Sequence, residues 1–270
     1  MRLALYAHYA ASAEVRPFVL HYLEAIREEG FRIIFISNSA IAPSDDRRLS
    51  SLCEHLLLRP NIGFDFAMWK AALDKFGLKN VDELLLTNSS IIGPLAPLGV
   101  FWSKPSLQKS DFWGLTENCD MSAHLQSYFL VFRRRVIEAS CFSEFWNGIL
   151  PFSDKMQVIR SYEIGLTLWL AQNGFSWEAA FPAQSPETAA QGKWGFKRKL
   201  QSRILRQRQR GPNATLSAPE TLIRAGMPFM KRELLTPGNP YMAPRDALCL
   251  LRQTGLPSAV VADLENDAAH

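Results

Sequence analysis

Short apolar runs alternate with helical patterns along the first half of the chain. Leu3–His8 (L-A-L-Y-A-H) reads as a buried strand. Residues 13–29 read as a helix, with Ser12 as cap, Pro17 in or near the first turn and Gly30 as the stop. Arg32–Ser37 (R-I-I-F-I-S) is a second β-rich run and His55–Leu58 a short third. Residues 64–77 set Phe66, Trp69, Leu73 and Phe76 on one helical face and end at Gly77. Glu83–Thr87 (E-L-L-L-T) is a fourth strand. Strands separated by helices predict an α/β fold, a mostly parallel sheet flanked by helices.

The second half is more mixed. Gln126–Phe132 reads as one strand and Val136–Trp146 as a helix. Ser161–Asn173 is a further helix, closed by Gly174, and Ser176–Phe181 returns as a strand. Residues 183–192 read as a polar loop ahead of a basic segment, and the tail carries the run P-F-M-K-R-E-L-L at 228–235. This divides the chain into a core over 1–182 and a basic loop or helix with a C-terminal tail over 183–270, packing on that core.

Composition is that of an ordinary globular protein, 47% hydrophobic and 21% charged. Charge changes the picture more. The net charge is +4, yet residues 193–210 hold eight basic residues and no acid, so the remainder is mildly acidic. Phe196, Leu200 and Ile204 recur there at helical spacing among the cations, the pattern of an amphipathic helix lying on anionic lipid. A solvated basic loop near a site is the plainer alternative. Nucleic-acid binding is disfavoured, because the basic stretch stands alone on an acidic body. Cys53, Cys119, Cys141 and Cys249 have neither zinc-site nor disulfide-framework spacing and read as free thiols of a reducing cytosol. No leader and no membrane-spanning run is expected, so any membrane contact would be peripheral, at the inner face.

Open α/β sheets bind ligands at the carboxyl edge of their strands. The positions to interrogate are therefore His8 and Tyr9, Asn38, the stretch Asn61–Asp65 opening a helix, and Asn88-Ser89-Ser90. In N-I-G-F-D-F, Gly63 permits a tight turn, and Asn61 or Asp65 can contact a ribose or base or simply cap the helix. The polar cluster after the fourth strand suits sugar hydroxyls or phosphate oxygens, and equally suits a turn. His124 and Gln126 alternate with apolar neighbours and can face a cleft, or serve only structure. Glu163, in the first turn of the helix beginning at Ser161, either complements the helix dipole or stands as a general base at the cleft edge.

In this order the motifs N-I-G-F-D-F-A-M-W (61–69), T-N-S-S-I-I-G-P (87–94), H-L-Q-S-Y-F-L-V-F (124–132) and Y-E-I-G-L (162–166) resemble the rhamnan synthesis protein F family. The resemblance covers roughly residues 2–182, and the 228–235 run is similar to one in related polysaccharide-synthesis proteins. It implies a GT-A-like, Rossmann-related fold and a hexosyltransferase acting in lipopolysaccharide or other surface-polysaccharide synthesis. Asn61, Gly63 and Asp65 would then be nucleotide-contacting, with His8, Asn38, His124, Gln126 and Lys193 as further donor-binding residues. Asn88-Ser89-Ser90 would stand where such enzymes carry an acidic triplet, and Glu163 where inverting members carry the base. The family pattern at the triplet is usually N-D-S, whereas this chain reads N-S-S. Ser89 lacks the hard anionic oxygen that Mg²⁺ or Mn²⁺ prefers. Three alternatives follow: a metal-independent enzyme, Asp65 as the metal ligand, or loss of activity.

The expected reaction is one in-line displacement, with Glu163 deprotonating the acceptor and His124, Lys193 or the 197–199 cluster neutralising the departing diphosphate. By resemblance the donor is a dTDP- or GDP-linked deoxysugar, rhamnose foremost, and the acceptor a lipid-linked glycan. The rival is a degenerate transferase fold that binds a glycan or partner without chemistry. A Rossmann dehydrogenase is disfavoured because no G-x-G-x-x-G follows Leu3–His8.

Overall fold

The computed structural model describes residues 1–11, 13–183 and 213–268. Ser12, Lys193 and the whole 193–210 segment, on which several expectations rest, lie outside the described residues.

Four parallel strands build one half of the central sheet. β1 (Arg2–His8) lies between β2 (Phe31–Ser37) and β4 (Glu83–Asn88), and β3 (His55–Leu58) extends it beyond β2. The other half is mixed. β8 (Phe129–Arg133) runs antiparallel to both β4 and β6 (Phe112–Asn118), while β6 also pairs with β7 (His124–Leu125) and, in parallel, with β9 (Trp177–Phe181). The order is β3-β2-β1-β4-β8-β6-β7, with β9 branching from β6. This is the expected α/β architecture, mostly parallel and flanked by helices.

Alternation along β1 assigns the two layers. Leu3, Leu5 and Ala7 face α3 (Phe64–Phe76) and the helices Ser140–Asn147 and Gly165–Gln172, through Trp69, Phe142 and Leu166. Ala4 and Tyr6 face α1 (Pro17–Glu28), through Val19 and Tyr22. Leu248, Leu251 and Leu264, from the tail helices Pro244–Arg252 and Ser258–Ala268, join this second layer. Arg16 Nε reaches both carboxylate oxygens of Asp263 at 3.0–3.1 Å, so a fork of charge-assisted bonds pins the last helix to the start of α1.

Several expected boundaries move, each for a local reason. The first helix begins at Pro17 and not at residue 13. Arg16 is extended, as a residue before proline prefers, and Pro17 fills the first helical turn, where its missing N–H costs nothing. Gln126–Phe132 is not one strand: the chain turns at Ser127 and Tyr128 between β7 and β8, where the Ser127 N–H serves a carboxylate. The 136–146 helix is two pieces, Arg134–Ile137 and Ser140–Asn147, because Ala139 is extended. Helix α2 (Pro43–Leu52) and strand β6 were not anticipated. The first buries only Asp45 and Leu49, and the second runs unbroken through Gly114, whose missing side chain lets the Phe129 carbonyl approach.

Candidate functional site

β1, β2 and β4 end side by side, so the loops after them share one rim. His8 closes β1, 1% exposed, with its ring 5.0 Å from that of Phe35. The Ser37 hydroxyl donates to the Ser39 carbonyl, so His8 Nδ1, 3.0 Å from Ser37 Oγ, is the donor of that pair. Burial, reinforced by the Arg232 guanidinium, pulls its pKa down to about 4, and the ring is neutral at pH 7. Asn38 donates to Asn61 Oδ1 at 2.7 Å while its own Oδ1 is buried without a partner. Arg59, passed over in the sequence, adds a buried, unpartnered Nη1 at the end of β3. His8, Asn38 and Asn61 are thus brought together, though His8 turns back into the sheet.

Gly63 precedes α3 with φ of 83°, and a Cβ there would lie 2.7 Å from Pro151 Cα, so only glycine fits. It is also the N-cap residue, and no side chain caps this helix, so neither Asn61 nor Asp65 has the capping role open to it from sequence. Asp65 turns instead to the β4 loop, where Asn88 Nδ2 donates to its Oδ2 at 2.6 Å. Asn88 Oδ1 accepts from the Ser90 N–H at 3.1 Å and the Ser90 hydroxyl at 2.6 Å. A backbone N–H can only donate, which fixes the orientation of the Asn88 amide. Ser89 Oγ accepts the Tyr9 N–H at 3.1 Å. Burial raises Asp65 to about 6, against the Asn88 bond and the attraction of Lys231.

Glu163 arrives from a separate helical run in the same layer as α3, where Tyr162 packs against Phe66. It does not sit in the first turn of a helix. The helical run starts at Lys155, capped by Asp154, and passes through a π-helical stretch, Ile159–Ile164, before resuming at Gly165. The dipole explanation therefore lapses, since that effect fades beyond the first turn. A π bulge widens the turn and re-aims a side chain, and such bulges recur at functional sites. Glu163 Oε2 accepts the Ser127 N–H at 2.8 Å and the Ser127 hydroxyl; Oε1 lies 3.5 Å from His124 Nε2. His124 is anchored by Nδ1–H donating to the Ser122 carbonyl at 2.7 Å, which aims Nε2 at Glu163. Burial pushes the Glu163 pKa up, but His124 and Ser127 outweigh it, and the carboxyl is held below its ordinary range.

Two cations come from the tail. β10 (Met230–Lys231) pairs antiparallel with β5 (Ile91–Ile92), the strand directly after the triplet, and sets Lys231 opposite Ile91. Arg232 N–H donates to the Ser90 carbonyl at 2.9 Å, and Leu95 N–H to the Pro228 carbonyl at 2.7 Å. Gly93 belongs to this docking, because a Cβ there would overlap the Pro228 carbonyl. Lys231 Nζ lies 4.1 Å from the centroid of the Tyr128 ring and within electrostatic reach of both Asp65 and Glu163. Burial lowers its pKa to about 8, against the pull of Glu163.

The described site therefore unites Asp65, Asn88, Ser90, His124, Ser127, Glu163 and Lys231. Gln126 is not among them: its Oε1 accepts from the Thr116 hydroxyl at 2.7 Å, in a buried chain ending at Tyr128. Ser127, Lys231 and Arg232 were missed as site residues. The 228–235 run was the available signal for the last two. Among the described residues no group of three or more His, Cys, Asp or Glu side chains is arranged to hold a metal ion.

Fold and site define an α/β protein whose sheet edge gathers carboxylates, an amide, an imidazole and a lysine from five separate segments. The chain belongs to the rhamnan synthesis protein F family, whose profile matches residues 33–256 and so takes in the tail as well as the core. It is 30% identical to "Uncharacterized protein y4gN" of Sinorhizobium fredii over 159 residues, 57% of this chain and 42% of that one. Identity to "Virulence protein VirA" of Vibrio anguillarum is 28% over 140 residues, covering 50% and 44% respectively. The chain thus spans less than half the length of these curated relatives. Among solved structures, a putative nucleotide-diphospho-sugar transferase from Desulfovibrio desulfuricans G20 covers 93% of this chain and 97% of its own, at 14% identity and TM-score 0.41. S. aureus TarS covers 69% and 37%, at 13% and 0.41. These are likenesses of general layout. Among the described residues no helix is long and apolar enough to cross a membrane.

Proposed function

We propose that this protein is an inverting glycosyltransferase of surface-polysaccharide synthesis, with a GT-A-like core, moving a deoxysugar, rhamnose foremost, from a nucleoside diphosphate to a glycan hydroxyl. Family membership supports the pathway. The observation that carries the reaction is the Glu163 carboxylate, held ionised by Ser127 and His124 at a sheet edge that also presents Asp65, Asn88 and Lys231.

The acceptor oxygen attacks the anomeric carbon as the bond from that carbon to the phosphate oxygen breaks. Glu163 takes the acceptor proton, and the nucleoside diphosphate departs with the electron pair. His124 orients the carboxylate through Oε1, and its carbonyl anchor at Ser122 keeps Nε2 pointed there. Asn38, Asn61 and Arg59 supply polar groups on the rim for the nucleoside. A lipid-linked acceptor, delivered at the membrane surface with help from the basic 193–210 segment, completes the proposal.

Transfer from dTDP- and GDP-deoxysugars by wild type and Glu163→Gln tests it. The glutamine keeps the Ser127 bonds and loses the basic oxygen, so turnover is expected to fall about 10²–10⁴-fold with folding intact. A variant as active as wild type removes Glu163 from the mechanism. A wild type inert with every donor, yet binding glycan, favours the binding module.

A further inference from the structure

A divalent cation is what a transferase triplet of this kind ordinarily invites, and the residues present do not fit one. Asn88 turns its Nδ2–H toward Asp65 and gives its oxygen to Ser90, so the space between Asn88 and Asp65 is lined by an N–H and not by a second oxygen. A metal placed there would face the positive end of the amide. Ser89 Oγ is engaged with the Tyr9 backbone. Glu163 gives Oε2 to Ser127 and faces His124 with Oε1. Mg²⁺ and Mn²⁺ want several hard oxygens in near-octahedral array, and this loop does not supply them.

What the loop has instead is an ammonium. Resting on the transferase reading above, the geometry points to Lys231 as the built-in cation of this site: its side chain, and not a divalent metal, meets the donor's diphosphate, and donor binding is metal-independent. Three observations converge. The β5–β10 pairing places Lys231 beside the residues that follow the triplet, and the Arg232 N–H bonded to Ser90 locks the register. The Tyr128 ring, 4.1 Å from Nζ, supports a positive charge without neutralising it. The ammonium makes no ion pair with the described residues, although Glu163, Asp65 and Glu233 lie close enough to attract it and Lys155 close enough to repel it. It therefore has charge to offer an incoming anion. Its pKa of about 8, set first by burial, leaves it protonated at neutral pH and makes the charge removable just above.

Isothermal titration of the full chain with dTDP, GDP and inorganic pyrophosphate, in EDTA and in Mn²⁺, tests this. At pH 7 the affinity of wild type is expected to agree within about threefold between the two media. Lys231→Met is expected to lose at least tenfold, and Lys231→Arg to stay within a few-fold of wild type. Wild-type binding should weaken as pH rises past about 8, whereas the arginine variant, always charged, should not follow. Binding that appears only with Mn²⁺ overturns the inference and leaves the transferase reading standing. Undiminished binding by a folded Lys231→Met variant does the same. Failure of every diphosphate in both media overturns both.

Discussion

Replacing Asp65 by asparagine isolates the electrostatic strain at the site. The carboxyl is raised from 3.8 to about 6, chiefly by burial. At about 1.4 kcal/mol per pH unit, keeping it ionised costs the folded state about 3 kcal/mol. Asp65 retains some solvent contact, so screening brings the expected figure to about 1–3 kcal/mol. The folded state holds the extra proton between pH 3.8 and about 6, so wild-type stability falls as pH rises through that window and is level above it. Asparagine keeps an oxygen to accept from Asn88 Nδ2 and cannot ionise. Urea melts of both proteins from pH 4 to pH 8 should show little difference at the acid end. The variant should gain with rising pH and lead by about 1–3 kcal/mol at pH 7. A gap that does not change with pH, or a variant less stable at pH 7, refutes the reasoning.

Two further outcomes follow from packing and from the His124 contact. Gly63→Ala places a methyl against Pro151 and Ala67 at a positive φ, and should destabilise by about 2–4 kcal/mol in denaturant melts while leaving the 88–90 loop chemically intact. His124→Ala removes one of the two groups holding the Glu163 pKa down, so the carboxyl rises and the acidic limb of the pH–rate profile moves to higher pH. An unmoved limb means His124 does not tune the base.

The parallel half of the sheet was legible because its strands are largely apolar runs, three of which stop at polar residues on the sheet edge: His8 in β1, Ser37 in β2 and Asn88 in β4. The antiparallel half was not. β6 contains Gly114 and ends in T-E-N, and its pattern depends on partners from β8 and β9 that no local window contains. The same difference separates the site residues. Asn88, Asp65 and Glu163 announced themselves as polar groups at element ends. Lys231 sits in a two-residue strand near the C-terminus, and its place follows only from pairing with Ile91, 140 residues earlier. Glu163 was singled out from the sequence as a helix-start residue, but its π-helical setting was invisible, since the inserted turn leaves no mark in residue type.

The most direct measurement is the crystallographic position of a bound nucleoside diphosphate. The expected density puts the phosphates against Lys231 and the Asn88–Ser90 loop, with the space for the sugar's anomeric carbon opening toward the Glu163 carboxylate. Phosphates bound elsewhere, or a Glu163 side chain turned from them with protein filling the gap, would contradict the account.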